Sequence, residues 1–71
     1  MTEMEQTVFE AIRDNTDEES MECVDIEDLV SLTGIASKQI RGVLSSLVKK
    51  EKIEVEEYDA NFNTQYFYWV A

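Results

Sequence analysis

The hydrophobic pattern changes its period once along the chain, close to Ile53. Before this residue, apolar side chains recur at the three- and four-residue spacing of a helix, most clearly at Ile40, Leu44 and Leu47. From Ile53 onward, apolar and acidic residues alternate, which is typical of a strand with one buried face. The sequence therefore predicts helices followed by a hairpin. At 71 residues, the chain is expected to form a single α+β domain over residues 1–71.

The first helix is predicted over residues 2–14. Thr2 and Glu5 have the spacing of a capping box, in which each side chain satisfies an amide of the first turn. Asn15 can cap the other end. After an acidic loop, residues 21–24 are short and apolar enough for a brief strand.

The second and third helices are separated by a tight connection. Asp25 is a good N-cap for a helix over Ile26–Thr33, and Gly34 is expected to end it. A third helix is predicted over residues 37–50. The apolar stripes of the three helices supply the expected core: Met4, Val8, Phe9, Ala11, Ile12, Ile26, Leu29, Val30, Leu32, Ile40, Val43, Leu44, Leu47 and Val48.

The remainder of the chain is predicted to form a two-stranded hairpin. Residues 53–57 alternate, and residues 65–70 are aromatic and β-prone. Residues 59–64 are rich in turn-forming side chains, so a loop of about six residues is expected between the strands.

The lack of histidine and the single cysteine limit the chemistry of the chain. It has no histidine and one cysteine, Cys23, so neither an internal disulfide nor a Cys/His zinc site can form. Cys23 is expected to be a small buried residue with an unreactive thiol. The acidic loop lacks the ligand spacing of a calcium-binding loop, and no catalytic motif is present. We therefore expect a protein without a cofactor that is not an enzyme.

No apolar run reaches the ~20 residues that a membrane span needs. No basic segment followed by an apolar stretch indicates a secretory signal. The chain is therefore expected in the cytoplasm and not in a membrane.

Charge is distributed unevenly along the chain, whose net charge is -10. Residues 1–28 carry eleven acids and one base, whereas residues 29–53 carry five bases and one acid. Residues 54–71 carry four acids and no base. The total repels nucleic acid at long range, but the third helix is a basic element within an acidic protein.

The order of these elements, and the stretch Thr-Gly-Ile-Ala-Ser-Lys-Gln-Ile-Arg-Gly-Val-Leu over residues 33–44, resemble winged-helix proteins. MarR-like regulators and Zα domains show this pattern. The resemblance covers residues 22–71 and extends to residues 2–14 by position. It implies a winged helix-turn-helix with three helices, a short strand and a C-terminal two-stranded wing. It also implies a transcriptional regulator that reads duplex DNA through its third helix, as a homodimer.

The third helix carries the predicted DNA contacts. Lys38, Arg41, Ser45 and Lys49 fall on one face, roughly opposite the apolar stripe. Arg41 can pair with guanine, and the lysines can bind phosphates. The full predicted DNA-binding set is Lys38, Gln39, Arg41, Gly42, Ser45, Lys49 and Lys50. The alternative is that these are solvated residues that balance an acidic surface.

A second hypothesis is a protein-interaction module. The predicted first strand carries Glu54, Glu56 and Glu57, which would repel phosphates. Such an acidic surface could bind a basic partner, or mimic DNA to occupy a nucleic-acid-binding protein. Phe67 and Trp69 share one strand face, so they are predicted partner-binding residues unless helix one covers them.

Overall fold

The computed structural model describes the backbone of residues 1–17, 19, 22–60 and 63–71, and the side chains of the same residues except 58–60 and 63–65. Three helices precede a two-stranded antiparallel sheet, which confirms the α+β class. The elements are α1 (Glu3–Asn15), α2 (Ile26–Thr33), α3 (Ser37–Lys49), β1 (Ile53–Ala60) and β2 (Asn63–Val70).

Helix α1 begins at the predicted capping box and ends one residue later than expected. The Glu5 amide donates to Thr2 Oγ1, and the Thr2 amide donates to Glu5 Oε1, both at 3.1 Å. The prediction of Asn15 as the C-terminal cap is wrong, because Asn15 is still helical and Thr16 is the cap. The Thr16 hydroxyl donates to the carbonyl of Ile12 at 2.7 Å. This bond satisfies one of the carbonyls at the helix end, which have no amide partner within the helix.

Helix α2 has the bounds and both caps that the sequence predicts. Asp25 accepts from the Asp28 amide at 2.8 Å, and Asp28 accepts from the Asp25 amide at 3.2 Å. Gly34 lies in the left-handed region with φ of 73°, where a residue without Cβ is favoured. Its amide donates to the carbonyl of Val30 at 2.9 Å and ends the helix.

Helix α3 starts at Ser37 without a side-chain cap, since Ala36 holds the N-cap position. It ends at Lys49, one residue before the predicted end, with Lys50 as its cap. Glu51 then takes a left-handed conformation with φ of 58°, and the Lys52 amide donates to the Leu47 carbonyl at 3.0 Å. This turn leads directly into β1.

In the part of the chain that the structure describes, the predicted short strand over residues 21–24 is reduced to two isolated bridges, the first of which joins Glu22 to Asp17. Val24 forms an isolated antiparallel bridge to Tyr68 of β2. The Tyr68 amide donates to the Val24 carbonyl at 2.8 Å, and the reverse bond is 3.4 Å long. Residue 21 lies outside the described residues.

The hairpin is longer than predicted. Strands β1 and β2 pair from Ile53 opposite Val70 to Ala60 opposite Asn63. The expected six-residue loop is therefore wrong, and only residues 61 and 62, outside the described residues, separate the strands. The loop was predicted because polar and Asx residues favour turns. Strand pairing, however, uses backbone groups, so these residues can extend the strands when the two strands are in register.

The core lies where the three helices meet one face of the hairpin. Its buried members are Val8, Ile12, Val24, Leu29, Ile40, Val43, Leu44, Leu47, Ile53 and Tyr68. Three residues of the predicted stripes are wrongly assigned to it, because Met4, Leu32 and Val48 are exposed at 37%, 51% and 36%. Each lies at the edge of its stripe, where spacing does not fix the direction of the side chain.

Candidate functional site

One face of α3 forms a polar and cationic surface. The opposite face is buried in the core through Ile40, Val43, Leu44 and Leu47. This burial determines which face of the helix is turned towards solvent. Six of the seven predicted DNA-binding residues are exposed on the other side without a side-chain hydrogen bond or ion pair to the described part of the fold: Lys38, Gln39, Arg41, Gly42, Ser45 and Lys49.

Gly42 is exposed in the middle of this surface. A Cβ at this position would have no atom within 4 Å. Glycine costs a helix about 1 kcal/mol relative to alanine. No contact among the described residues requires glycine there, so the packing of the chain does not explain the residue.

Lys50, the seventh predicted DNA-binding residue, is used within the fold. Its ammonium group lies 2.8 Å from Glu5 Oε2, in an ion pair that joins the end of α3 to the start of α1. The Ser46 hydroxyl donates to the same oxygen at 3.0 Å. Glu5 is buried, whereas Lys50 keeps 46% of its side chain exposed.

The cluster strongly favours the ionised form of Glu5. The hydrogen bond from Lys50 lowers the pKa of this carboxyl most, followed by the Thr2 amide and the Ser46 hydroxyl, and burial opposes them. The pKa falls from 4.5 to about 2. Because the folded value is the lower one, the contribution of Glu5 to stability is complete above pH 4.5 and is lost as the pH falls towards 2.

Lys50→Gln is expected to raise the pKa of Glu5, because it removes the largest cause of the depression. Titration of the Glu5 side-chain carboxyl carbon by NMR measures this directly. Lys49→Gln is the matched control, since it removes the same charge from the neighbouring exposed position. Equal pKa values in the two variants would show that net charge, and not the Lys50 contact, depresses the pKa.

A groove runs between α3 and the inner face of the hairpin, and we refer to it as the α3–hairpin groove. Helix α3 contributes Arg41, Leu44, Ser45, Val48 and Lys49. The hairpin contributes Val55, Tyr66 and Tyr68. The groove has a volume of about 340 Å³ and a mainly apolar floor. Two of the predicted DNA-binding cations, Arg41 and Lys49, therefore border an apolar surface.

The pKa of the Tyr68 hydroxyl reflects its surroundings on the groove floor. Burial raises the pKa of this phenol, Tyr66 adds to the increase, and the charge of Arg41 opposes it. The Arg41 guanidinium therefore lies near enough to Tyr68 to influence the pKa of its hydroxyl. Tyr66 itself is 43% exposed, and no sequence feature distinguishes it from the other aromatic residues of the predicted second strand.

The predicted partner-binding residues lie on the outer face of the hairpin. Phe67 pairs with Glu56, and Trp69 pairs with Glu54, so these four residues share that face. Phe67 and Trp69 are half-buried. The large aromatic that is exposed among the described residues is Tyr66, on the inner face.

Cys23 is half-buried, so it is less buried than predicted. Burial raises the pKa of the thiol, and the charges of Asp28, Glu56 and Asp25 raise it further. A high thiol pKa disfavours the reactive thiolate. Among the residues whose side chains the structure describes, no group of three or more acidic or cysteine side chains is placed to hold a metal ion.

No protein-family model, curated protein or solved structure matches the chain. No helix in the described part of the chain is long and apolar enough to cross a membrane.

Proposed function

We propose that the chain is a winged helix-turn-helix domain that binds duplex DNA through the exposed face of α3. The observation that carries this proposal is the position of the cations. In a protein of net charge -10, Lys38, Arg41 and Lys49 are exposed on one helix face whose reverse side is anchored in the core. A rigid helix with such a face suits the major groove.

The surrounding elements support the winged-helix assignment. Helices α2 and α3 are joined by three residues, 34–36, and the hairpin follows α3 after a short turn. The bridge from Val24 to Tyr68 adds a third backbone segment beside the hairpin. These features agree with a helix-turn-helix followed by a wing.

The side chains of α3 suit both parts of DNA recognition. Lys38 and Lys49 are separated by about 16 Å along the helix axis, so they can reach different phosphates. Arg41 lies between them and can form the bidentate pair with guanine that specifies a base. Lys50 is a weaker candidate, because a phosphate would compete with Glu5 for its ammonium group.

Arg41→Ala is expected to weaken binding to a preferred duplex by about 1–3 kcal/mol, because a base contact is lost. Lys49→Ala is expected to weaken all duplexes similarly and to reduce the salt slope by about 0.9, since one phosphate contact is lost. Fluorescence anisotropy with a selected and a scrambled duplex, over a salt series, measures both effects.

Arg13→Ala is the control for these variants. It also removes one positive charge, but from an exposed pair with Asp14 on α1. If it weakens binding as much as Lys49→Ala, charge loss anywhere on the protein suffices and α3 is not the contact surface. If no duplex binds the parent chain even at low salt, the DNA proposal is wrong.

A second candidate function is an acidic module that binds a basic protein or mimics DNA. The observation that favours it is that Glu54, Glu56 and Glu57 are all exposed on β1. In this case a basic partner would contact the hairpin, and Arg41→Ala would leave that complex intact. Loss of the complex on reversal of the β1 charges would support this function over DNA binding.

A further inference from the structure

The α3–hairpin groove combines an exposed apolar surface with neighbouring positive charge, and DNA binding does not explain both properties. Its surface includes three exposed apolar or aromatic side chains, Val48, Val55 and Tyr66, at 36%, 39% and 43% exposure. The sugar-phosphate backbone is charged and hydrated, so contact with DNA gives such a surface little to bury. These side chains suit an apolar group of a ligand.

Among the described residues, the charged side chains that line the groove have one sign. They are Arg41 and Lys49, both on the α3 side. Glu57 shares the sheet face with Val55 and Tyr66 but does not line the groove. A protein with sixteen acids and six bases therefore places two of its exposed bases beside an apolar surface. A ligand that complements this surface carries an apolar group next to negative charge.

We propose that the α3–hairpin groove binds a short acidic protein segment, with one apolar side chain on the groove floor and flanking carboxylates paired with Arg41 and Lys49. The volume of about 340 Å³ suits one or two side chains. A stable dimer interface involves about 20–30 residues on each side, whereas eight described residues line the groove, so the groove alone is too small to hold a second folded copy. The inference rests on the groove and does not depend on DNA binding.

A peptide titration followed by NMR tests the proposal on the intact chain. The probe is a blocked heptapeptide with a central leucine flanked by aspartate and glutamate. We expect its addition to shift the amide resonances of Val48, Lys49, Val55 and Tyr66. Two matched peptides isolate the chemistry: one replaces the leucine by serine, and the other replaces every acid by lysine. Neither is expected to cause these shifts.

Two charge reversals locate the site. Lys49→Glu is expected to weaken binding of the acidic peptide about tenfold or more, because an attraction becomes a repulsion. Lys52→Glu makes the same charge change at an exposed residue outside the groove lining and should weaken binding less than about twofold. Both positions are exposed, so both variants are expected to fold.

Four results would overturn the proposal. These are no shifts with the acidic peptide, equal binding of the serine peptide, preferential binding of the lysine peptide, or equal weakening by the two reversals. The lysine-peptide result would favour the module that binds basic partners. None of these results bears on DNA affinity, which is measured separately with duplexes.

Discussion

Replacing Leu29 by alanine is expected to lower the free energy of unfolding by about 2.7–5 kcal/mol, as other buried leucine truncations do. Leu29 is fully buried in α2, and this helix packs against both α1 and α3. A domain has about 5–15 kcal/mol of stability in total, and one of this size has a small core. The loss should therefore be visible as a large drop in the urea midpoint by circular dichroism.

Leu32→Ala provides the matched control in the same helix. The two changes delete the same atoms, but Leu32 is 51% exposed. Its replacement is expected to change the free energy of unfolding by no more than about 0.5 kcal/mol. Similar losses in the two variants would contradict the orientation of α2 in the structure, because they would place both leucines in the core.

The ends of the helices could be predicted because they depend on nearby residues. The Thr2 and Asp25 caps act on amides three positions away, and Gly34 is needed where the backbone becomes left-handed. Asn15 was wrongly assigned because the next residue, Thr16, can also satisfy the last carbonyls. Local sequence rules therefore predict that a helix is present, but they locate its last residue only to within about one position.

The exposed apolar residues could not be predicted from spacing. Leu32 and Val48 continue the stripes of their helices, yet both are exposed. A stripe indicates which side of a helix is apolar, whereas burial of its edges depends on what packs there. The hairpin covers only part of α3, so Val48 borders the α3–hairpin groove instead of the core.

The contact between Glu5 and Lys50 depends on tertiary structure. The residues are 45 positions apart, and the sequence indicated a local role for each: Glu5 in a capping box and Lys50 at a helix end. Both local roles are present in the structure. Ser46 and Lys50 lie one helical turn apart on the same flank of α3, but this spacing does not indicate which residue they contact.

The candidate site was predicted as a set of residues but not as a surface. The spacing placed Lys38, Arg41, Ser45 and Lys49 on one exposed face of α3, and the structure has them there. The sequence did not show that the hairpin brings Val55 and Tyr66 beside Arg41 and Lys49, because strand direction and register are set by pairing and packing.

Reversing Glu54 and Glu57 to lysine is expected to raise duplex DNA affinity about a hundredfold at low salt, near 50 mM. Both side chains are exposed on β1, the strand that follows α3, where a wing would approach phosphates. Two new phosphate contacts would steepen the salt slope by about 1.8, and each reversal also removes a repulsion. Anisotropy over a salt series gives the affinity and the slope together.

Reversal of Glu10 and Asp14 to lysine separates position from net charge. It makes the same change in charge on α1, at two exposed residues of another element. Because exposed charges are screened beyond about 8 Å at 0.15 M salt, a wing beside the duplex should respond far more than α1 at the upper end of the salt series. Equal gains from the two double reversals would show that only net charge matters. A gain confined to α1 would mean that the hairpin faces away from the DNA and that α3 does not lie in the groove as proposed.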